Sequence, residues 1–188
     1  MRTFFTSDLH FGHSNIIRFC DRPFATADEM DAALIKNWNA RVHAHDAVWV
    51  IGDVSFHHPQ RTFEILNELK GFKKLVLGNH DKSIRKQKHL RDCFNEVVDG
   101  FKEIYLQDED VHTPHFAVMC HYPMLSWNKS FYGALHLHGH MHNRQPIKDG
   151  ETLRRMDVGV DAHQYQPISL LEVIDLLTAI KPDEKKEY

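Results

Sequence analysis

Five short apolar runs in this 188-residue chain each end in a residue that binds metals well, and that repetition constrains the fold more than any other feature. Thr3–Ser7 (TFFTS) runs into Asp8-Leu9-His10, and Ala47–Ile51 (AVWVI) into Gly52-Asp53. Lys73–Leu77 (KKLVL) runs into Gly78-Asn79-His80-Asp81. Phe116–Cys120 leads to His121, and Ala134–His138 to Gly139-His140-Met141-His142. Apolar runs this short, bounded by glycine and polar residues, read as strands. In open α/β sheets the ligand crevice lies outside the carboxyl ends of the strands. Strands sharing a sheet would therefore bring these terminal residues together.

Helical patterns separate the strands. Thr26–Ala44 opens with a T-x-x-E capping box, Thr26 to Glu29, and repeats Met30, Leu34, Trp38 and Val42 on one face. Arg61–Lys70 reads as a helix stopped by Gly71, and Ser83–Asp92 as another. Lys102–Leu106 and Met156–Val160 are further strands. Ser169–Ile180 is a final helix with Leu170, Val173, Ile174 and Leu177 on one face. The alternation in the first half predicts an α/β domain with parallel strands, and the strand-rich second half predicts a mixed sheet. The length suits one domain, over 1–180. The remainder, 181–188 (KPDEKKEY), reads as a frayed tail.

Composition narrows the function. The three cysteines, Cys20, Cys93 and Cys120, are odd in number and lack C-x-x-C spacing, so a reduced intracellular protein is expected rather than a disulfide framework. The formal net charge of -3 gives no global reason for a nucleic-acid or anionic-membrane partner. No signal peptide or bilayer-spanning run is visible, which makes a cytoplasmic location the expectation. The excess is in histidine, with 16 copies of the commonest metal ligand.

Seven of the strand-end residues are candidate ligands: Asp8, His10, Asp53, Asn79, His121, His140 and His142. That exceeds one tetrahedral site and suits two ions sharing a carboxylate. Imidazole with carboxylate accommodates several first-row divalent metals. Gly52, Gly78 and Gly139 precede three of the groups and permit sharp turns there. A lone D-x-H or G-x-H is weak, and His140 and His142 could simply alternate on an edge strand. The five groups together make that bland reading improbable.

The ordered set D-x-H, G-D, G-N-H-D, H and G-H-x-H, spanning Asp8 to His142, resembles the calcineurin-like metallophosphoesterase superfamily. The opening Asp8-Leu9-His10-Phe11-Gly12-His13-Ser14-Asn15-Ile16-Ile17 and the later Asp157-Val158-Gly159-Val160-Asp161 look most like its small single-domain bacterial and phage members. The resemblance implies a four-layer α/β/β/α sandwich with two mostly mixed sheets. It implies that Asp8, His10 and His142 hold one metal, that Asn79, His121 and His140 hold the other, and that Asp53 bridges them. His80 would then lie beside the scissile phosphate, oriented by Asp81. Mn²⁺ is the working metal by resemblance, with Fe, Zn, Ni, Co or Mg as alternatives. The implied activity is phosphodiester hydrolysis, with monoesters as a second option, by in-line attack of a metal-bridging hydroxide.

Other residues have a functional and a plainer role open to them. His13 and Asn15 could reach the substrate phosphate, or Asn15 could cap the following turn with His13 exposed. Arg144 could face the phosphate or the solvent. His57 and His58 fit a solvated loop better than a substrate contact. The connection after His121, with Trp127, Lys129, Phe131 and Tyr132, could stack a base, although packing is the commoner outcome. Lys70–Arg91 is basic enough to steer a polynucleotide, yet a solvated face is the commoner outcome. The expected partner is a phosphate ester, nucleotides included, with nucleic acid left open and no membrane. Two alternatives stand beside the leading one: a nuclease or cyclic-nucleotide phosphodiesterase, and a non-catalytic scaffold for protein binding.

Overall fold

Every residue of β1 (Thr3–Thr6) and β2 (Ala47–Val50) is buried, as the unbroken apolar sequence of β2 and the paired phenylalanines of β1 suit in strands covered on both faces. The computed structural model describes residues 1–144 and 153–178. β1 pairs in parallel with β2, β2 with β3 (Phe72–Val76), and β3 with β4 (Glu96–Val98). The short β9 (Ile168–Ser169) closes the other edge antiparallel to β1. A second sheet runs β5 (Phe101–Leu106), β6 (His115–Cys120), β7 (Leu135–His138), β8 (Arg155–Asp157), antiparallel at β5–β6 and parallel beyond. The α/β sandwich with two mixed sheets is thus formed. The five strands that end in candidate ligands divide three to two between the sheets instead of sharing one.

Helices cover the outer face of the first sheet. In α2 (Ala27–Arg41) the Thr26 hydroxyl accepts from the Glu29 N–H at 3.1 Å. The Glu29 carboxylate reaches back to the Ala25 N–H at 2.8 Å, one residue beyond a standard capping box. Met30, Leu34, Trp38 and Val42 all point into the core with Phe4, Val48, Val50 and Leu75 of the sheet. α1 (Ser14–Phe19) and α3 (Pro59–Glu68) join this layer through Ile16, Ile65 and Leu66. The helix expected over 83–92 is broken by the extended backbone of Gln87 into α4 (Lys82–Lys86) and α5 (Lys88–Arg91).

The opposite faces of the two sheets meet each other. Phe5, Trp49, Ile51 and Val76 interlock with Leu106, Ala117, Met119, Leu135, Leu137 and Met156. Leu170, Val173 and Leu177 of α6 (Leu170–Thr178) enter the same core. Full burial of side chains of this size stabilises by roughly 1.5–3 kcal/mol each, so the inter-sheet core holds the two sheets in register. The expected continuation of α6 to Ile180 and the tail over 181–188 lie outside the described residues. No helix among the described residues is long and apolar enough to cross a membrane.

The outer layer on the second sheet is thin. The connection 122–134 covers it with a single 3-10 turn, Ser130–Tyr132. Trp127 is a packing residue there, buried against Val118 and Ala134 and donating its indole N–H to the Ala134 carbonyl at 3.1 Å. Phe131 and Tyr132 of the same segment are exposed. Beneath it, His136 is fully buried, with Nδ1 2.9 Å from the Val118 carbonyl and Nε2 2.9 Å from the Met124 N–H. A carbonyl only accepts and an N–H only donates, so Nδ1 carries the ring proton and Nε2 must stay bare. Burial, with the nearby His138 and Arg155, lowers the His136 pKa to about 4 against the Val118 carbonyl, which raises it.

The unfolded chain therefore takes up a proton at His136 near pH 6.5, while the folded protein refuses it until about pH 4. Stability contributed by neutral His136 is complete above the upper limit and is lost as pH falls through this window, by on the order of 3 kcal/mol. Urea unfolding at pH 7 and pH 4.5 should show a smaller acid loss in His136→Gln than in wild type. Equal losses in the two proteins would show that His136 is not the group responsible.

Candidate metal centre

The strand-end residues are held in backbone shapes that side chains usually avoid. Asp8, His10, Asp53, His140 and His142 have φ of 55°, 52°, 57°, 72° and 49°. The left-handed region costs a non-glycine residue about 1–2 kcal/mol, and such strain persists only where surrounding structure over-determines it. Here the turns brace one another. The Asp8 N–H donates to the Gly52 carbonyl at 3.0 Å and the His10 N–H to the Asp53 carbonyl at 3.1 Å. The Gly139 N–H donates to the His121 carbonyl at 3.0 Å, and the His140 N–H to Asp8 Oδ2 at 2.9 Å. That last bond ties the second sheet to the first. Two glycines make the approach possible: a Cβ on Gly139 would fall on Ser7 Oγ and Asp8 Oδ2, and one on Gly52, at φ +87°, on His121 Nδ1.

The side chains converge. His10 Nε2 and His142 Nε2 each lie 3.8 Å from Asp8 Oδ1. Asp53 Oδ2 sits between two imidazoles, 3.6 Å from His10 Nε2 and 3.4 Å from His121 Nε2. Ligand atoms of Asp8, His10 and His142 fall within 4.8 Å of one another, as do those of Asp8, Asp53 and His121. Asn79 Oδ1 is 3.1 Å from His121 Nε2, and the His140 ring lies 5.1 Å from that of His121. All seven sequence candidates therefore gather where the two sheets meet.

The electrostatics fit cations. Asp8 is wholly buried, yet its Oδ1 and both ring nitrogens of buried His10 find no hydrogen-bond partner among the described residues. Unpartnered buried polar atoms are costly, and a metal ion between them would satisfy both donor types. Burial works against charge on Asp8 and Asp53, but the imidazoles around them hold both carboxyls below the usual range. Burial likewise opposes charge on His121 and His142. The carboxylates overcome it, Asp53 and Asp8 lifting His121 to about 9, and Asp161 and Asp8 helping to lift His142 to about 10.

His80 is exposed at the rim, its backbone N–H fixed on Asp53 Oδ1 at 2.9 Å and its ring 4.8 Å from Phe56. The Asp81 carboxylate binds backbone: Oδ2 accepts from the Asp53 and Gly78 N–H groups at 2.9 and 2.8 Å, and Oδ1 from Val54 at 2.8 Å. It therefore pins the turns after β2 and β3, and any influence on His80 runs through that backbone.

Secondary candidates separate clearly. His13 stacks on Phe56 with ring centroids 4.0 Å apart and lies 5.4 Å from His10, so it borders the centre. Asn15 is exposed on α1, and the helix cap position is His13, without a side-chain bond. Arg144 pairs with Asp21 at 3.0 Å on the surface. His57 is bound to Asp31 at 2.6 Å and His58 caps α3, so both are structural. In the basic segment Lys74, Arg85 and Lys88 pair with Glu96, Asp99 and Asp92. Sequence reasoning missed Phe56, Tyr122, Ser7, Arg22 and Asp161. Tyr122 and Phe56 flank opposite sides, with Tyr122 4.7 Å from the His140 ring and Phe56 5.3 Å from that of His10. Nothing in their local sequence marks them out.

The site geometry can be set beside known proteins. No family model matches the chain. It is 30% identical to the uncharacterized protein MJ1445 of Methanocaldococcus jannaschii over 94% of this chain and 91% of that protein. The chain belongs to the MJ1445 family. The gene 66 protein of Mycobacterium phage D29 is also 30% identical, over 94% of this chain and 96% of the phage protein. The MJ1445-family fold is similar to that of a protein of unknown function, AQ665 from Aquifex aeolicus, with a TM-score of 0.70 and 25% identity over 93% of this chain and 98% of that one. The fold overlaps more loosely with a Pseudomonas putida nuclease MPE (TM-score 0.46, 18% identity, 75% and 61% covered) and an archaeal phosphodiesterase (0.44, 17%, 85% and 82%).

Removing the Asp81 carboxylate from this MJ1445-family protein leaves three backbone N–H groups without acceptors. Each buried orphan costs about 1–3 kcal/mol. Asp81→Ala is expected to lower the unfolding free energy of the metal-free protein by about 3 kcal/mol or more in urea titration. Unchanged stability would show that Asp81 does not hold these turns.

Proposed function

We propose that this protein is a phosphoesterase working through two divalent metal ions, with phosphodiesters as the preferred substrates. The observation that carries the reading is the pair of bare buried ligand atoms, Asp8 Oδ1 and His10 Nε2, facing Asp53, His121 and His142 at the junction of the sheets. In this reading Asp8, His10 and His142 hold one ion, Asn79, His121 and His140 hold the other, and Asp53 serves both. Mn²⁺ is the working choice by the family resemblance alone, because affinity order does not decide among first-row ions. When bound, such a pair supplies Lewis acidity toward phosphoryl oxygens and lowers the pKa of water.

The chain's own residues supply the rest. Asp8 and Asp53 offset two of four positive charges, and neutral Asn79 offsets none, so the centre keeps positive charge for a phosphate. The rigid turns hold the ligands before substrate arrives, which is the physical basis of electrostatic preorganisation. His80, exposed and anchored through its backbone to Asp53, would donate a proton to the leaving oxygen, a role suited to imidazole. His13 and Phe56 form one wall and Tyr122 another, so both organic arms of a diester would meet aromatic surface. Exposed Asn15 and the Arg144–Asp21 pair give less support to direct phosphate contact by these side chains. Ion pairs take up Lys74, Arg85 and Lys88 of the basic segment, which reduces the charge it offers a polynucleotide.

Chelated protein reconstituted with Mn²⁺ should hydrolyse bis-(p-nitrophenyl) phosphate and lose that activity again with chelator. His80→Ala should retain its metal content and lose about 10²–10⁴ in kcat. Inactivity of the metal-loaded wild type on mono-, di- and cyclic phosphate esters would overturn the proposal. Binding must also displace protons from His121 and His142, which hold them up to about 9 and 10 in the metal-free protein. Mn²⁺ affinity should therefore rise from pH 6 to pH 8, with proton release visible in calorimetry as a dependence on buffer ionisation heat. A pH-independent affinity would place the ion elsewhere.

A further inference from the structure

His142 looks both ways. Its Nε2 faces Asp8 Oδ1, and its Nδ1 lies 2.7 Å from Asp161 Oδ2. Asp161 is in turn gripped by Arg22, with Nε on Oδ1 and Nη2 on Oδ2, both at 2.8 Å. The same guanidinium donates from Nη2 to the Asp8 carbonyl at 2.8 Å and from Nη1 to the Leu9 carbonyl at 3.1 Å. The Arg22 side chain is completely buried. One planar cation thus touches the main chain that presents Asp8 and His10 and the carboxylate that orients His142.

We propose that Arg22 and Asp161 are positioning residues for the Asp8–His10–His142 half of the metal centre, a claim that rests on the metal reading of that site. An ionised carboxylate only accepts. Asp161 therefore keeps the neutral His142 proton on Nδ1 and leaves the Nε2 lone pair toward Asp8. A carboxylate behind a ligating histidine fixes its tautomer and orientation, and loss of such a partner commonly weakens metal affinity 10–100-fold. Arginine suits the task because its rigid fork reaches the carboxylate and two carbonyls together, which an ammonium does not. Cys20 Sγ lies within 4.8 Å of the His142 and Asp161 ligand atoms, so this trio could itself hold a cation. The fork of Arg22 on both Asp161 oxygens argues for the supporting role instead.

The test is Mn²⁺ titration calorimetry on chelated protein, with circular-dichroism melting of each metal-free variant. Wild type should bind two ions. Asp161→Ala should bind one as wild type does and the other at least tenfold more weakly. Asp161→Asn, whose amide oxygen still accepts from Nδ1, should fall between them, at least threefold weaker than wild type. Arg22→Lys should weaken the same ion, and Cys20→Ser should match wild type. Wild-type binding of both ions by Asp161→Ala overturns the inference, as does wild-type binding by Asp161→Asn if the alanine variant does not fold. A loss in Cys20→Ser equal to that in Asp161→Ala also overturns it, because the trio would then be ligands. A wild type that binds no first-row divalent ion removes the metal reading itself, a result distinct from the others.

Discussion

Two buried carboxylates organise this molecule. Asp8 and Asp53 sit in the interior with their charges turned toward each other's neighbourhood, an arrangement that water would otherwise have to solvate. Desolvating a carboxylate costs several kcal/mol unless cations or hydrogen bonds offset it. The protein meets that cost partly with Ser7 and the His140 N–H on Asp8 Oδ2, and with the His80 N–H on Asp53 Oδ1. The remaining oxygens, Asp8 Oδ1 and Asp53 Oδ2, face imidazoles. Cationic charge is needed there, whether it comes from protons or from metal ions, and the surrounding histidines accept either.

The left-handed turns and the sheet packing follow from the same demand. Side chains on regular strands point above and below the sheet, not out of its end. Bringing Asp8, Asp53 and His140 to one place takes an abrupt reversal directly after each strand, and the positive φ values record it. The inter-sheet core of Trp49, Ile51, Met119 and Leu137 keeps the two sets of turns within hydrogen-bonding distance. Large apolar side chains thereby do at one end of the sandwich what the carboxylates require at the other.

Much of this was readable in the residues, for identifiable reasons. Met30, Leu34, Trp38 and Val42 declare a helix by their spacing. The ligand candidates stand out because each follows an apolar run and because imidazole, carboxylate and amide are rarely placed so regularly by chance. Short edges were not readable: β4 and β9 have too few residues to show a period, and Gln87 breaks a helix that its neighbours would continue. The supports behind the ligands were hidden for another reason. Arg22 and Asp161 are 139 positions apart, and Phe56 and Tyr122 become neighbours of the site only through folding. Asp81 was legible as a member of the centre, but its bonds to three backbone N–H groups emerge only from the geometry.

The division of the candidate ligands between two sheets has a consequence for the life of the chain. Asp8, His10, Asp53 and Asn79 belong to the half synthesised first, and His121, His140 and His142 to the half that follows. A nascent or truncated polypeptide ending before the second sheet carries Asp8, His10, Asp53 and Asn79 but lacks His121, His140 and His142. In the proposed reading, the whole centre is assembled only when the second sheet joins the first.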